Sequence, residues 1–332
     1  MNFQTLQKVE SPEFYLDVAI KRGKKDAEKA KLKVRGQDRL RKVMVVESER
    51  IKVVGRELHG MLSGIIKNFP EIDGLPDFYR ELVKCTIDYD QLKKSFGAVI
   101  WADKQAAKFM KLYCSKIRSS NDVKVIYSHK KSYYGRVSSA LKQVREGLAC
   151  LEAARKTMKR FPSVKTDLQT VVIAGFPNVG KTTLLKAMTG SEPKIASYPF
   201  TTQRLMIGYF VHEGKKLQII DTPGLLDRSL DKRNRIELQA VLALKHLTKQ
   251  IIFVIDPTGS SGYDVEEQLK LLEDINEMFG LGIVVAVNKA DIAEKEAVES
   301  LMLRLKKFPV FEVSAEKGEG IEGLVAAVAE GE

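Results

Sequence analysis

The stretch that most limits what this chain can fold into is Gly175-Phe176-Pro177-Asn178-Val179-Gly180-Lys181-Thr182. It follows the apolar run Thr170 to Ala174 and precedes Thr183 to Thr189, which carries a helical pattern. A strand, a glycine-bounded loop and a helix in that order predict a phosphate-binding loop. Gly175 and Gly180 let the backbone wrap close to an anion, so that its N–H groups converge as a nest. The helix beginning near Gly180 adds the positive end of its dipole. Phe176, Pro177, Asn178, Val179, Gly180, Lys181, Thr182 and Thr183 are therefore expected to bind a nucleotide's phosphates. Lys181 is placed to reach the β- and γ-phosphates, and the Thr182 hydroxyl to ligate Mg²⁺.

Downstream, apolar strands alternate with helical stretches. Strands are expected at Leu205–Val211, Leu217–Ile220, Gln250–Ile255, Ile283–Val287 and Val310–Val313. Helices fit near Thr182–Thr189, Arg235–Leu247, Asp264–Phe279, Lys295–Lys306 and Ile321–Ala329, the third opened by a capping box of Asp264 and Glu267. Such alternation predicts a mainly parallel sheet with helices on both faces and a ligand at the carboxyl ends of the strands.

Four more motifs stand near those ends. Tyr198-Pro199-Phe200-Thr201-Thr202 is a loop whose hydroxyls can close over a metal, Thr202 being preferred to Thr201 as the Mg²⁺ ligand. Asp221-Thr222-Pro223-Gly224 ends a strand; Asp221 can hold Mg²⁺ through water, and the Gly224 N–H can sense a γ-phosphate. Lys181, Thr202 and Gly224 are thus the expected catalytic residues. Asn288-Lys289-Ala290-Asp291 ends another strand. The Asp291 carboxylate, an acceptor-only fork, suits the ring N–H and exocyclic amine of guanine, a pair of donors that adenine lacks. Lys289 can pack over the base, and Asn288 can tie the loops together. At Ser314-Ala315-Glu316, backbone amides could meet the guanine carbonyl. Any one tetrapeptide could be an ordinary strand-to-helix loop; five in this order could not.

The chain ahead of these motifs has a different character. Residues 1–166 hold 36 Lys and Arg against 19 Asp and Glu, a net charge of +17, while 167–332 carry −5 of the total +12. Such asymmetry predicts a polyanion bound by the first half alone. Between Lys21 and Lys42, eleven basic residues, among them Lys24, Lys25, Lys29 and Lys31, face three acids. A solvated helix face is the plain alternative, but the ratio favours nucleic acid. Further on, Lys130, Lys131, Tyr133, Tyr134 and Arg136 mix charge with rings that could stack on unpaired bases or belong to the core.

Ser11-Pro12-Glu13 is a helix start, and Met44, Ile51, Val54, Leu58, Met61 and Ile65 recur at helical spacing, interrupted at Glu47. Helical patterns resume over about Asp77–Ser95 and Ala98–Ile117, with a last long helix over Val137 to Met158 broken in register by Arg155. With no strand alternation, this half is expected to be an all-α antiparallel bundle. The apolar content of 44% suits a full-sized core, and no apolar run approaches the length of a membrane span. Three widely spaced cysteines (Cys85, Cys114, Cys150) predict free thiols in a reducing cytoplasm rather than disulfides.

The motifs resemble those of the translation-factor-related GTPases, in the Obg-like branch with its Tyr-Pro-Phe-Thr-Thr loop. Phe69-Pro70-Glu71-Ile72-Asp73, Phe78-Tyr79-Arg80, Arg233-Asn234-Arg235-Ile236-Glu237 and Ala243-Leu244-Lys245-His246-Leu247 extend the likeness to the Nog-type nucleolar GTP-binding family. The resemblance implies a cytoplasmic, monomeric, short archaeal form that binds GTP or GDP with Mg²⁺. It also implies action on the pre-ribosomal large subunit through ribosomal RNA. Ras-type enzymes carry a water-orienting glutamine where this chain has Leu225, which predicts slow hydrolysis without help. Asn178 matches the asparagine that ligates K⁺ in some related GTPases. A GTP-gated RNA scaffold with incidental hydrolysis, or a GTPase acting on tRNA or in signalling, fits the same residues. The expected architecture is a basic N-terminal all-α helical bundle over 1–166, then an α/β P-loop GTPase domain with a mainly parallel sheet over 167–332.

Overall fold

The computed structural model describes residues 3–34, 36, 38–199, 204–227 and 235–331, apart from the side chains of 235 and 236. Its chain divides into two compact units. One comprises Gln4–Glu71 and Ile87–Lys159; the other comprises Ile72–Thr86 and the chain from Arg160 on, together with Phe3. The division falls seven residues before the expected boundary, and it assigns an N-terminal helix to the unit that carries the nucleotide motifs.

The first unit is helical: α1 (Pro12–Lys33), α2 (Arg39–Asn68), α4 (Tyr89–Arg118), α5 (Val123–Gln143) and α6 (Arg145–Met158). Ser11 caps α1, its hydroxyl accepting from the Phe14 N–H, with Pro12 in the first turn. The buried stripe of α2 includes Ile51, Val54, Leu58, Leu62 and Ile65. Glu47 does not interrupt it, because its buried carboxylate is met by Lys130 at 3.2 Å and Arg50 at 3.3 Å. Arg155, 9% exposed, is likewise satisfied, its guanidinium donating two bonds of 2.8 Å to Glu152. The expected break near Phe96 is absent. Helix α4 runs through it, starting instead where the Asp88 side chain accepts from the Gln91 N–H. The single expected helix over 137–158 is two, separated at Val144.

Helix α3 (Asp77–Thr86) belongs to the second unit. Phe78, Tyr79, Leu82 and Val83 are all at most 1% exposed. The Tyr79 hydroxyl donates to the carbonyls of Pro162 and Val164 and accepts from the Val164 N–H at 3.1 Å. Burial pushes that phenol up to about 12, against the lowering effect of the bond with Val164. Helix α3 packs on α8 (Arg235–Lys245), and Phe78 stacks on Tyr198 with ring centroids 6.4 Å apart.

Among the described residues the sheet of this unit has seven strands: β1 (Thr170–Ala174), β2 (Lys194–Ala196), β3 (Leu205–His212), β4 (Lys215–Asp221), β5 (Thr248–Ile255), β6 (Gly282–Val287) and β7 (Val310–Glu312). Their order is β2-β3-β4-β1-β5-β6-β7; β4, β1, β5, β6 and β7 run parallel, while β3 is antiparallel to β2 and β4. Helices α7 (Lys181–Thr189), α9 (Val265–Phe279), α10 (Lys295–Arg304) and α11 (Ile321–Glu330) complete it, α9 opened by the expected capping box. Every residue of β1 is buried, as are Ile251 to Ile255 and Ile283 to Val287, so the parallel core is covered on both faces. The short edge strand β2 has no buried residue and so carries no apolar alternation that could announce it.

Candidate nucleotide-binding site

Parallel strands release their following loops at one edge of the sheet, which gathers the loops after β1, β4, β5, β6 and β7. The loop after β1 turns through left-handed residues at Asn178 and Gly180, and a Cβ at Gly180 would collide with the Asn288 amide. Phe176 is clamped by the Tyr263 ring at 4.2 Å. Lys181, 7% exposed, donates to the Gly175 carbonyl at 2.7 Å and the Phe176 carbonyl at 2.6 Å. Burial lowers its pKa, and the fields of Asp221 and Asp227 oppose that effect.

The Thr182 hydroxyl donates to Asp221 Oδ2 at 2.6 Å, joining two of the three residues expected at Mg²⁺. Asp221 is fully buried, burial raises its pKa, and its Oδ1 has no hydrogen-bond partner among the described residues. A carboxylate oxygen left unpartnered in the interior beside a threonine hydroxyl is a donor set that fits a hard divalent cation. Thr201 and Thr202 lie outside the described residues. The Thr222 hydroxyl donates to the Ile173 carbonyl, fastening the next loop to β1. Gly224, at φ 74°, donates its N–H to Asp227 Oδ2 at 2.7 Å. Leu225, 1% exposed, is packed into the interior.

Asn288 is the hub of the base-side loops. Its Nδ2 donates to the Val179 carbonyl at 2.8 Å, and its Oδ1 accepts from the Ala315 N–H at 3.0 Å. One side chain thus joins the loop after β1 to the loop after β7. Lys289, left-handed at φ 62°, reaches the Asn178 carbonyl at 3.1 Å, Asp256 Oδ2 at 2.6 Å and Ser260 Oγ at 2.7 Å. Asp291 is held below the usual carboxylate range by the Ser314 hydroxyl and by Lys317, whose ammonium lies 3.1 Å away. Glu316 is exposed.

Two acids escaped the sequence reading. Asp256, at the end of β5, is fully buried and accepts from the Thr258 N–H, the Thr258 hydroxyl, Ser260 and the Ser261 N–H as well as Lys289. Burial alone would raise its pKa; the Lys289 ammonium and Thr258 outweigh it and hold the carboxyl low. The signal was a carboxylate at the end of an apolar strand, in Asp256-Pro257-Thr258-Gly259. Asp227, which accepts the Gly224 N–H, sits three residues beyond a motif that was recognised.

Of the residues expected at RNA, Lys24, Lys25, Lys29, Lys31, Lys131 and Arg136 are exposed. Two tyrosine expectations need correction. Tyr133 is fully buried, its ring against Tyr113 at 6.1 Å and Tyr134 at 5.5 Å, so it offers no face to a base. The Tyr134 hydroxyl is buried too, and burial raises both phenols. Lys130 neutralises the interior Glu47 and so holds a structural place.

Residues 3–165 match the NOG1 N-terminal helical domain, and residues 170–289 match a 50S ribosome-binding GTPase domain. An uncharacterized protein of Methanocaldococcus jannaschii is 40% identical over 297 residues, 90% of this chain and 83% of that protein. The chain belongs to the Nog-type family of GTP-binding proteins. Nucleolar GTP-binding protein 1 of Encephalitozoon cuniculi is 31% identical to this Nog-type chain, and that of Drosophila melanogaster is 29% identical. These matches cover 86% and 96% of this chain but 54% and 50% of the relatives, so it spans about half their length. A solved G domain of the T. maritima FeoB iron transporter is 33% identical, with 49% of this chain and 99% of that one covered at a TM-score of 0.41. Among the described residues, no helix is long and apolar enough to cross a membrane.

Proposed function

We propose that this chain hydrolyses GTP and acts in assembly of the large ribosomal subunit, its basic helical unit binding ribosomal RNA. The observation that carries the nucleotide reading is the Asn288 bridge, which joins the phosphate-binding loop to Ala315, the residue after the Ser314 whose hydroxyl bonds Asp291. Phosphate and base recognition are thereby fixed to each other before any ligand arrives, the preorganisation that specific binding requires. Asp291 would accept from the base, and the Ala315 N–H lies in the loop expected to meet its carbonyl. Thr182 and Asp221 would hold Mg²⁺, which when bound neutralises charge on the β- and γ-phosphates. Lys181, released from the Gly175 and Phe176 carbonyls, would supply a second positive charge there.

Because Leu225 is buried and apolar, no side chain at that position orients water, so intrinsic turnover is slow. A K⁺ ion held by Asn178 is part of the reading, and faster turnover in K⁺ than in Na⁺ that disappears in Asn178→Ala is its test. The RNA half of the reading is supported by the +17 charge of residues 1–166 and the family match over 3–165. Crosslinking in cells followed by sequencing of the bound RNA tests it; recovery of tRNA in place of large-subunit rRNA would overturn it. A hydrolysis-dead form that still supports subunit assembly would favour a GTP-gated scaffold.

A further inference from the structure

The loop after β4 is fastened at three points that do not involve Asp227. Thr222 donates its hydroxyl to the Ile173 carbonyl, the Leu225 N–H returns to the Thr222 carbonyl at 3.0 Å, and the Leu226 carbonyl accepts from the Gly175 N–H at 3.0 Å. Leu225 and Leu226 are buried beneath the turn. This frame curls the chain back so that the Asp227 carboxylate, 9% exposed, faces the Gly224 N–H at 2.7 Å. That N–H is the donor from which a γ-phosphate would accept. The site therefore contains an anion of its own, placed among the groups that await a terminal phosphate.

We propose that Asp227 is a specificity-determining residue that opposes the γ-phosphate and so sets the preference between guanosine diphosphate and triphosphate. The inference rests on the guanine-nucleotide reading above. A single N–H cannot serve two anions at full strength, and a carboxylate beside a γ-phosphate adds like-charge repulsion in a partly dry site. Triphosphate binding must displace Asp227 from Gly224, whereas diphosphate binding leaves the bond intact. Once the terminal phosphate departs, Asp227 can retake the donor. The diphosphate state is then the resting state of this loop, and triphosphate engagement carries a fixed cost set by one side chain.

The test measures affinities for GDP and for a non-hydrolysable GTP analogue, both with Mg²⁺, in the full-length protein and two variants. Asp227→Ala removes the competing acceptor and its charge, so the triphosphate-to-diphosphate affinity ratio should rise on the order of tenfold. Asp227→Asn keeps an acceptor but drops the charge and should give a smaller rise, so the ratios should order Ala, Asn, parent. The anchors at Thr222 and Leu226 predict that the fold survives, which the melting midpoint checks. If Asp227→Ala is unfolded, the Asn variant decides alone. An unchanged ratio in folded variants overturns the proposal. So does selective weakening of the triphosphate, which would make Asp227 a helper of the γ-phosphate complex. If the parent binds ATP as well as GTP, the guanine reading fails but the ratio still tests Asp227. If it binds no nucleotide, both fall.

Discussion

Asp256 and Lys289 form a pair with the carboxylate fully buried and the ammonium side chain 22% exposed, 2.6 Å apart. Replacing Asp256 by Ala removes the lysine's only anionic partner among the described residues and leaves the Thr258 and Ser261 N–H groups without their acceptor, so folding stability should drop by roughly 2–4 kcal/mol. Denaturant titration measures this, and guanine-nucleotide affinity should fall with it because Lys289 loses the charged one of its three anchors. The carboxyl is held below its ordinary range in the folded protein and returns to that range in the unfolded chain. Its contribution is therefore present above the ordinary carboxylate pKa of about 4 and is lost as pH falls through the lower folded value. The stability gap between parent and Asp256→Ala should narrow on acidification below about pH 4 and stay constant from pH 6 to 8. Asp291 invites a different exchange: Asp291→Asn should move preference from guanine toward xanthine nucleotides, and equal affinity of the parent for ATP and GTP would sink that role. The place of Asp291 was legible because a four-residue motif sets it just past a strand end. Asp256 was not, since its decisive partner is 33 residues away. Tyr133 misled for a related reason: a ring beside lysines has one sequence signature whether it faces solvent or, as here, the core.

At the scale of elements, α3 is the piece whose position the sequence conceals. Phe78, Tyr79, Leu82 and Val83 state by their spacing that one helical face is buried, but periodicity does not say against what. The answer is the nucleotide unit, through α8 and through Tyr198, whose hydroxyl donates to the Ala240 carbonyl at 2.6 Å. Tyr198 opens the Tyr-Pro-Phe-Thr-Thr loop, so α3 supports the segment just ahead of the expected metal ligand. Phe78→Ala should therefore destabilise the nucleotide unit by about 3–5 kcal/mol, the usual loss for a buried phenylalanine. A fragment beginning at 167 uncovers the α8 face that α3 covers; it should melt lower than the nucleotide unit of the intact chain and expose apolar surface to a hydrophobic dye. A stable, dye-silent fragment would show that α3 is dispensable to this unit. The parallel strands, by contrast, were legible to within two residues at most ends, because a strand buried on both faces is a short apolar run between polar loops.

For the molecule as a whole, the partition of charge carries the last prediction. The excess of +17 lies in residues 1–166, yet a fragment cut there would take α3 away from the unit that buries it. RNA binding is therefore best tested in the intact chain. Lys24, Lys25, Lys29 and Lys31 are exposed on α1; Lys29 is 3.0 Å from Asp26 and Lys31 is 3.7 Å from Glu28, pairs exposed enough to be weak rivals of a phosphodiester. Each phosphate they contact releases condensed counterions, worth about 0.7–0.9 in the slope of log affinity against log salt. Exchanging all four for Gln should flatten that slope by roughly 3 if all four touch RNA, and should weaken binding most at low salt. Because the effect is electrostatic, it should be similar on any RNA, whereas loss of sequence preference would point to base contacts elsewhere. The control is a set of three lysines, Lys194, Lys215 and Lys216, exposed on the sheet of the nucleotide unit, whose exchange for Gln should leave the slope unchanged. If the control set flattens the slope and the α1 set does not, ribosomal RNA is held by the nucleotide unit, and the charge of the first half serves solubility instead.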